Sequence, residues 1–208
     1  MKRTQSSPAA ARSKPPLYSR RKYDVVALGS SAGGLKALSL VLRSLGKDFP
    51  SSIVVVQHLD PEHKSWMASL LARTTSLTVK QAEHGEVLLP GTVYVGPPDE
   101  HLLVGPGKIQ LAHTRLVHFS RPSIDLLFES VAGTYGSRSI AVVLTGSGKD
   151  GSEGLRAIKE AGGLTIAQLP EMAEFPFMPR AAIATGCVDF ILPLESIGEK
   201  LTELCTGK

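Results

Sequence analysis

Short apolar runs without polar alternation recur along this chain, and they limit the folds open to it. The clearest are VVALG, IVVVQ and IAVVLT. A half-exposed antiparallel strand alternates apolar and polar side chains, whereas a parallel strand covered on both faces does not. Segments with helical periodicity lie between these runs, at spacings typical of βαβ units. The sequence therefore predicts a doubly wound, Rossmann-like α/β fold built on a mostly parallel sheet.

Residues 78–111 depart from this pattern. Their strand-like pieces VYVG, HLLV and IQLA are short and are separated by PG, GPP and GPG, which are turn signals. We expect a small antiparallel excursion there. The remaining predicted strands are 25–29, 53–57, 140–145, 164–168 and 188–192, and the predicted helices are 35–45, 63–73, 123–132, 152–161, 180–185 and 194–204.

Positive charge is concentrated at the N-terminus. Residues 1–22 hold seven of the 23 Lys and Arg and no acidic residue, so 16 basic residues face 19 acidic ones in the rest, a net charge of −3. A nucleic-acid-binding domain would carry positive charge on its folded part, so we expect no nucleic-acid partner. The Ser-, Pro- and Ala-rich composition predicts a disordered basic tail over 1–22 and a folded domain over 23–208.

The sequence has few features that indicate the cellular compartment of the protein. The two cysteines, Cys187 and Cys205, form no CxxC or Cys/His metal pattern. The basic tail is not followed by the apolar core of a secretory signal, and no apolar run approaches the ~20 residues of a membrane span. These features favour a cytoplasmic protein without direct membrane insertion.

Three predicted parallel strands end in residues with complementary chemistry. The first is followed by Ser31, within the G-x-S-x-G pattern that places a serine on a sharp strand-to-helix turn. The second is followed by His58, and the IAVVLT strand leads to Asp150. Ligands bind at the carboxyl ends of strands in such sheets. We therefore expect these three side chains to meet at one edge.

The three residue types suit nucleophilic catalysis. A serine hydroxyl needs a base, here His58, and the imidazole needs a group that orients it and stabilises its cation, here Asp150. The backbone N–H of Ala32 and the following helix N-terminus are candidates for stabilising an oxyanion. Each residue also has a structural alternative: Ser31 and Asp150 as helix caps, and His58 as a hydrogen-bonding loop residue.

A cofactor site is the alternative interpretation of the same edge. Residues 146–151, GSGKDG, match G-x-G-x-x-G between a strand and a helix, and Glu171 lies 20 residues beyond Gly151. That fingerprint normally follows the first strand of its unit, where this chain has GSSAGG. A single such match is weak, and a nucleotide- or dinucleotide-binding protein remains the second hypothesis.

Six segments in order give a more specific indication: GSSAGG, QHLDPEH, PPDEHLLV, RPSIDLLFESVA, LTGSGKDGSEGLRAIKEAGG and MPRAAIATGCVDFILP. Together they resemble the catalytic domain of the chemotaxis receptor protein-glutamate methylesterases, the CheB family, over about residues 23–204. The QHLDPEH and RPSIDLLF wording is similar to versions of this domain that are fused to a receptor methyltransferase.

The resemblance implies a Ser-His-Asp triad of Ser31, His58 and Asp150. It implies hydrolysis of glutamyl methyl esters on the cytoplasmic helices of chemoreceptors, with glutamine deamidation in some members, and it implies no metal or organic cofactor. A non-catalytic module that docks receptors is a third hypothesis. Arg121 and Arg180, predicted at helix starts, are candidates for steering an acidic receptor surface, with a cap or structural ion pair as the alternative.

This chain departs from the family pattern in places. Ala32 stands where threonine is common, and Ser147 where methionine is frequent. The usual family protein carries a receiver domain, for which residues 1–22 are too short, so we expect regulation to be absent or supplied by another protein. Met178 and Trp66 are expected to pack in the core. Surface or turn roles are expected for the other histidines: His63, His84, His101, His113 and His118.

Overall fold

The structure, a computed structural model, describes residues 22–58 and 65–207. Within these residues, seven strands form one sheet in which every pairing is parallel. They are β1 (Val25–Ser30), β2 (Ser52–Gln57), β3 (Thr78–Gln81), β4 (Thr92–Val95), β7 (Ser139–Val143), β8 (Leu164–Gln168) and β9 (Phe190–Leu192). Their spatial order is β3-β4-β2-β1-β7-β8-β9. The predicted doubly wound, mostly parallel fold is confirmed.

A separate two-stranded antiparallel sheet consists of β5 (His101–Gly105) and β6 (Lys108–Ala112). The antiparallel part is therefore narrower than predicted, because the VYV segment lies in β4 and pairs parallel with both β2 and β3. The connection from β3 to β4 is short and runs through turns, so its sequence resembles that of a hairpin loop.

Six α-helices in the described part of the chain connect or flank the strands: α1 (Gly34–Arg43), α2 (Met67–Ala72), α3 (Ile124–Tyr135), α4 (Ser152–Glu160), α5 (Phe177–Ala184) and α6 (Leu194–Thr206). Short 3-10 turns occupy Gly136–Arg138 and Pro170–Met172. The helix predicted over 63–73 begins at Met67 in the structure. The first two residues of the predicted range, His63 and Lys64, lie outside the described residues. The basic tail likewise lies outside them up to residue 21.

The sheet is covered on both faces, as the lack of polar alternation requires. On β1, Val26 and Leu28 pack with α1, α2 and α6, whereas Val25 and Ala27 pack with α3, α4, α5 and the β5–β6 hairpin. All four side chains are essentially inaccessible. Burying a single large aliphatic side chain contributes about 1.5–3 kcal/mol, so both layers contribute to holding the strand ends in place.

Trp66 corrects one expectation. It precedes α2 at the N-cap position and is 65% exposed, so it does not belong to the core. The residues of α2 that turn inward are Met67 and Leu71. Trp66 therefore lies at the exposed start of the helix, while the side chains that reach the core come from within it. Met178, by contrast, is fully buried as predicted.

The strand order creates a crevice at the carboxyl ends of β2, β1 and β7. From β1 the chain builds outward through β2 on one side and returns later to place β7 on the other. Such a switch in direction leaves the connections after β1 and β7 on opposite sides of the sheet, and ligands bind in the space between them. Ser31, His58 and Asp150 follow these three neighbouring strands.

Candidate active site

Ser31 lies on the tight turn between β1 and α1. Its N–H donates to the Thr145 carbonyl beyond β7 at 3.0 Å, and its own carbonyl accepts from Gly34 N–H at 2.9 Å. Gly33 is the N-cap of α1 and has φ 76°, a left-handed conformation that favours glycine. Among the described residues no side chain caps α1, so the Ser31 hydroxyl is not used as a helix cap.

The three predicted side chains form one continuous hydrogen-bonded chain. His58 Nδ1 lies 3.2 Å from Ser31 Oγ, and His58 Nε2 lies 2.8 Å from Asp150 Oδ2. A carboxylate accepts only, so the ring proton belongs on Nε2 and Nδ1 is left as an acceptor for the serine hydroxyl. In this arrangement Nδ1 can accept a proton from the Ser31 hydroxyl.

Asp150 is fixed by the N-terminus of α3. Its carboxylate accepts from the backbone N–H groups of Ile124 and Asp125 at 2.8 and 2.9 Å and from the Ser123 hydroxyl at 3.0 Å. Burial alone would raise the pKa of Asp150, but the bonds from His58 and from these N–H groups outweigh it and lower the pKa to about 2. Asp150 therefore remains an anion that faces the imidazole.

A second buried carboxyl group adjoins the first. Asp125 is 3% exposed, and its Oδ1 accepts from Gly154 N–H at 2.8 Å. Its Oδ2 has no hydrogen-bond partner among the described residues, and His118 Nε2 lies 3.4 Å from it. Burial, together with the negative charge of Asp150, raises the pKa of Asp125 to about 6. The two neighbouring carboxyl groups thus have pKa values displaced in opposite directions.

His101 corrects a further expectation, since it is fully buried rather than at the surface. Its Nδ1 accepts from Ser123 N–H at 3.1 Å, and its Nε2 donates to the Arg115 carbonyl at 3.0 Å. It therefore fixes the residue whose hydroxyl binds Asp150. No separate signal in the sequence indicates this role, because burial of a histidine at a strand start depends on the loop that folds over it.

The structure adds Gln57 and Thr145, two residues to which the sequence patterns assign no role. Gln57 binds the carbonyls of both Ser31 and His58. Thr145 accepts from Ser31 N–H through its carbonyl, and its Oγ1 donates to the Ala32 carbonyl at 3.0 Å. Gln57 ends β2 and Thr145 lies two residues beyond β7, and a polar residue at or just after the end of a buried strand is the signal that could have marked both as candidates.

Ala32 follows the serine as required for an oxyanion donor. Its carbonyl is bound by Thr145, and its N–H donates no backbone hydrogen bond within residues 22–58 and 65–207. The N-terminal turn of α1 begins two residues later. The oxyanion role of Ala32 stays a prediction that this arrangement supports.

A cleft of about 510 Å³ adjoins the serine. It is lined by Ser31, Gly33, Gly34, Leu35, Lys36, Gln57, Met67 and Glu174. Leu35 is 38% exposed and Lys36 is exposed, so the cleft meets solvent along α1. It is large enough to admit an extended side chain that approaches Ser31 from the surface.

The two predicted substrate-binding arginines lie in different settings. The Arg121 Nε donates to Asp99 Oδ1 at 3.0 Å, and its guanidinium also binds the Thr114 carbonyl, which is the structural ion pair named as its alternative. Arg180, in α5, lines a separate hollow of about 410 Å³ with Glu171 and Ile191. A role in binding substrate stays a prediction for both.

The first and last glycines of the GSGKDG loop pack tightly against the protein itself, whereas residues 147–149 between them are exposed. A Cβ at Gly146 would lie 2.1 Å from Met178 Sδ and 2.8 Å from Ser31 Cβ, and one at Gly151 would lie 2.8 Å from Ile124 Cγ2. These glycines thus permit close internal contacts with the serine turn and with α3. This use of the loop favours the hydrolase interpretation over a pyrophosphate cradle.

Among residues 22–58 and 65–207, no three His, Cys, Asp or Glu side chains are grouped to hold a metal ion. In the same part of the chain, no helix has both the length and the hydrophobicity needed to span a membrane.

Two curated relatives share most of the chain. A protein-glutamate methylesterase/protein-glutamine glutaminase 2 of Anaeromyxobacter dehalogenans is 44% identical over 88% of this chain and 54% of its own length. The protein-glutamate methylesterase/protein-glutamine glutaminase of the group 3 operon of Rhizobium meliloti is 40% identical over 96% of this chain and 56% of its own length. The chain thus spans about half the length of these relatives.

The fold agrees with a solved structure. The crystal structure of the Thermotoga maritima CheB methylesterase catalytic domain superposes with a TM-score of 0.83 and is 41% identical, covering 88% of this chain and 98% of that domain. The profile described as CheB methylesterase matches residues 26–201, the whole of the parallel sheet apart from the first residue of β1. On these grounds the chain belongs to the CheB methylesterase family.

Proposed function

We propose that this chain is a carboxylic ester hydrolase that removes methyl groups from glutamate side chains of proteins, with deamidation of glutamine side chains as a related activity. The observation that carries the proposal is the continuous chain from Ser31 Oγ through His58 to Asp150, with separations of 3.2 and 2.8 Å. The names of the relatives point to the same chemistry.

The reaction follows from the orientation of the imidazole. His58 Nδ1 accepts the Ser31 proton while Oγ bonds to the ester carbonyl carbon, and the Ala32 N–H stabilises the oxyanion. The carbon–methoxy bond then breaks, and methanol leaves with the proton from Nδ1. Water next attacks the acyl-enzyme, gives one proton to His58, and the glutamate is released as Ser31 regains its hydrogen.

Asp150 acts on charge and orientation throughout. Its depressed pKa keeps it ionised, so the imidazolium formed in each half-reaction lies 2.8 Å from a fixed negative charge. The Nε2–H···Oδ2 bond also keeps Nδ1 directed at the serine. No metal or organic cofactor is needed for these steps.

The proposed substrates are the cytoplasmic helices of chemoreceptors, and we infer a cytoplasmic location with them. The cleft beside Ser31 meets solvent along α1, so a glutamyl side chain projecting from a helix can enter it while the helix stays outside. We also propose that a separate regulatory protein controls the activity.

Covalent trapping provides the most direct test. A serine-directed phosphonate should label the wild-type protein at one site, and peptide mapping should place that label on Ser31. A heat-denatured sample is the control, because labelling that depends on the folded site should disappear. Labelling confined to other serines would contradict the proposal.

Removal of the nucleophile gives the kinetic test. Ser31→Ala should lower kcat for a glutamyl methyl ester in a receptor-derived peptide by several orders of magnitude. The melting temperature should stay close to wild type, since the Ser31 hydroxyl faces His58 instead of capping α1. Nucleotide binding by the wild type with undiminished ester turnover in the variant would instead favour the cofactor hypothesis. Receptor binding by an inactive wild type would favour a docking module.

A further inference from the structure

Two buried polar residues directly precede the nucleophile and the base. Ser30 ends β1 and Gln57 ends β2, and the parallel register places them opposite each other. Ser30 is fully buried and Gln57 is 6% exposed. Each is one residue away from a reactive side chain, Ser31 or His58, so their interaction bears directly on the separation of the two.

Gln57 uses both hydrogens of its side-chain amide to bind the backbones of Ser31 and His58. Its Nε2 donates to the Ser31 carbonyl at 2.7 Å and to the His58 carbonyl at 3.0 Å. Its Oε1 accepts from the Ser30 hydroxyl at 2.6 Å. Two carbonyls can be bound only by the NH₂ end, so the Ser30 hydroxyl and the two carbonyls together determine which way the amide points.

The surrounding backbone packs closely around this amide. A Cβ on Gly34 would lie 1.7 Å from Gln57 Oε1 and 2.7 Å from Ser30 Oγ. The start of α1 therefore approaches the amide so closely that a glycine is required there. The backbone of His58 is also tied to β1, since its N–H donates to the Ser30 carbonyl at 3.1 Å.

We propose that Gln57 is a positioning residue, which joins the backbones of Ser31 and His58 and thereby sets the distance between Ser31 Oγ and His58 Nδ1. Ser30 assists by orienting the Gln57 amide. This inference rests on the proposed hydrolase function. Gln57 acts through the two residues beside it, and the 3.2 Å contact that it controls is longer than the 2.8 Å bond to Asp150.

Variants of Gln57 test the proposal by separating kcat from KM. Gln57→Leu removes both bonds to the carbonyls, and a displacement of about 1 Å in a reacting group costs up to about 10²-fold in rate. We expect kcat for a glutamyl methyl ester peptide to fall about 10- to 100-fold. KM should stay within about three-fold of wild type, because Gln57 borders the cleft but is only 6% exposed, and its amide is bound within the protein. The rate of phosphonate labelling at Ser31 should fall in parallel.

Gln57→Glu adds a pH signature that a purely structural residue would not give. In its ionised form, the introduced carboxylate would direct its oxygens at the Ser31 and His58 carbonyls, whereas the protonated carboxyl could donate to one of them. Burial beside acceptors favours the protonated form. The labelling rate of this variant relative to wild type should therefore rise as the pH is lowered from 8 to 6.

A matched pair of serines controls for stability. Ser30→Ala and Ser51→Ala each remove a buried hydroxyl bond, that of Ser51 going to the Tyr23 carbonyl at 2.7 Å near the opposite end of the strands. Both should lower the melting temperature to a similar extent. Ser30→Ala alone of the two should lower kcat, by several-fold, because Ser30 and not Ser51 donates to Gln57.

The outcomes are distinguishable. Wild-type labelling rates in Gln57→Leu, Gln57→Glu and Ser30→Ala would overturn the positioning role and leave the hydrolase proposal intact. A wild-type protein that is neither labelled at Ser31 nor active on the ester would overturn both. Where Gln57→Leu fails to fold, the near-isosteric Gln57→Glu and the Ser30/Ser51 pair still decide the question.

Discussion

The two ends of the parallel sheet both bury polar side chains, but they connect them to different groups. At the amino ends of β7 and β8, the hydroxyls of Ser139 and Thr165 donate to carbonyl oxygens of nearby loops. At the carboxyl ends of β1 and β2, Ser30 donates to Gln57, and Gln57 donates to the carbonyls of Ser31 and His58. The buried hydroxyls at the amino end thus bind the backbone of neighbouring turns and loops, whereas the Ser30–Gln57 pair at the carboxyl end binds the backbone of the proposed catalytic residues.

Neutralising Asp150 should have the strongest effect. Asp150→Asn keeps the shape but turns an amide NH₂ toward a donor, either His58 Nε2–H or the backbone of α3, and removes the charge that stabilises the imidazolium. We expect kcat/KM for a glutamyl methyl ester to fall by about 10³- to 10⁴-fold. Steady-state kinetics and the labelling rate of Ser31 measure this loss.

A decrease in kcat/KM of less than ten-fold in Asp150→Asn would contradict the contrast between the two ends of the sheet. Loss of a polar group at the carboxyl end would then affect activity almost as little as the loss expected to be tolerated at the amino end. His58→Ala is the companion variant. If both residues act as one unit with Ser31, as proposed, the double variant should be little worse than His58→Ala alone.

A smaller effect is expected from Asp125, on the pH dependence of the free energy of unfolding. The folded pKa of Asp125, about 6, lies above the unfolded value of about 3.9. The native state therefore binds the proton more tightly, and stability is lost as the pH rises from about 4 to 6. Asp125→Asn should remove this loss and be more stable than wild type above pH 6, on the order of 1 kcal/mol.

Urea unfolding from pH 4 to 8 measures the Asp125 effect. His118→Ala is the control, because His118 Nε2 lies 3.4 Å from Asp125 Oδ2 and its removal separates any contribution of the imidazole from that of the carboxyl group. Below pH 4 the sign reverses: the depressed pKa of Asp150, about 2, means that stability is lost as the pH falls from about 4 to 2. A flat difference between wild type and Asp125→Asn would show that Asp125 titrates normally.

The weakest effect on activity is expected at the amino end. Ser139 is fully buried, and its hydroxyl donates to the Gly136 carbonyl at 2.6 Å. Ser139→Ala should lower the free energy of unfolding by about 1 kcal/mol. Its kcat should stay within about two-fold of wild type, in contrast to Ser30→Ala, and a larger decrease would show that the two ends are not separable.

The convergence of Ser31, His58 and Asp150 could be predicted because it depends on one property of parallel sheets. Residues that follow neighbouring strands meet at the carboxyl edge whatever the loops between them do. Apolar runs indicate the strands, and the polar residues that follow them indicate the site. The roles of these side chains in catalysis stay predictions.

Features that depend on distant packing could not be predicted in the same way. No local sequence pattern indicates that β3 and β4 pair in parallel, because the segment that connects them is as rich in turn residues as a hairpin loop. Burial of His101 depends on the loop that carries Arg115, and exposure of Trp66 depends on which face of a one-and-a-half-turn helix meets the sheet. Periodicity gives a face but does not say which direction is inward.

The bonds between Asp150 and the first turn of α3 have an evolutionary consequence. A duplicated gene released from selection for catalysis could lose Ser31 at little cost to folding, because that hydroxyl faces the imidazole and does not cap α1. Loss of Asp150 would leave the N–H groups of Ile124 and Asp125 without their acceptor. We expect inactive descendants of such an enzyme to retain the aspartate long after the serine has drifted, so the serine is the better diagnostic of a working homologue.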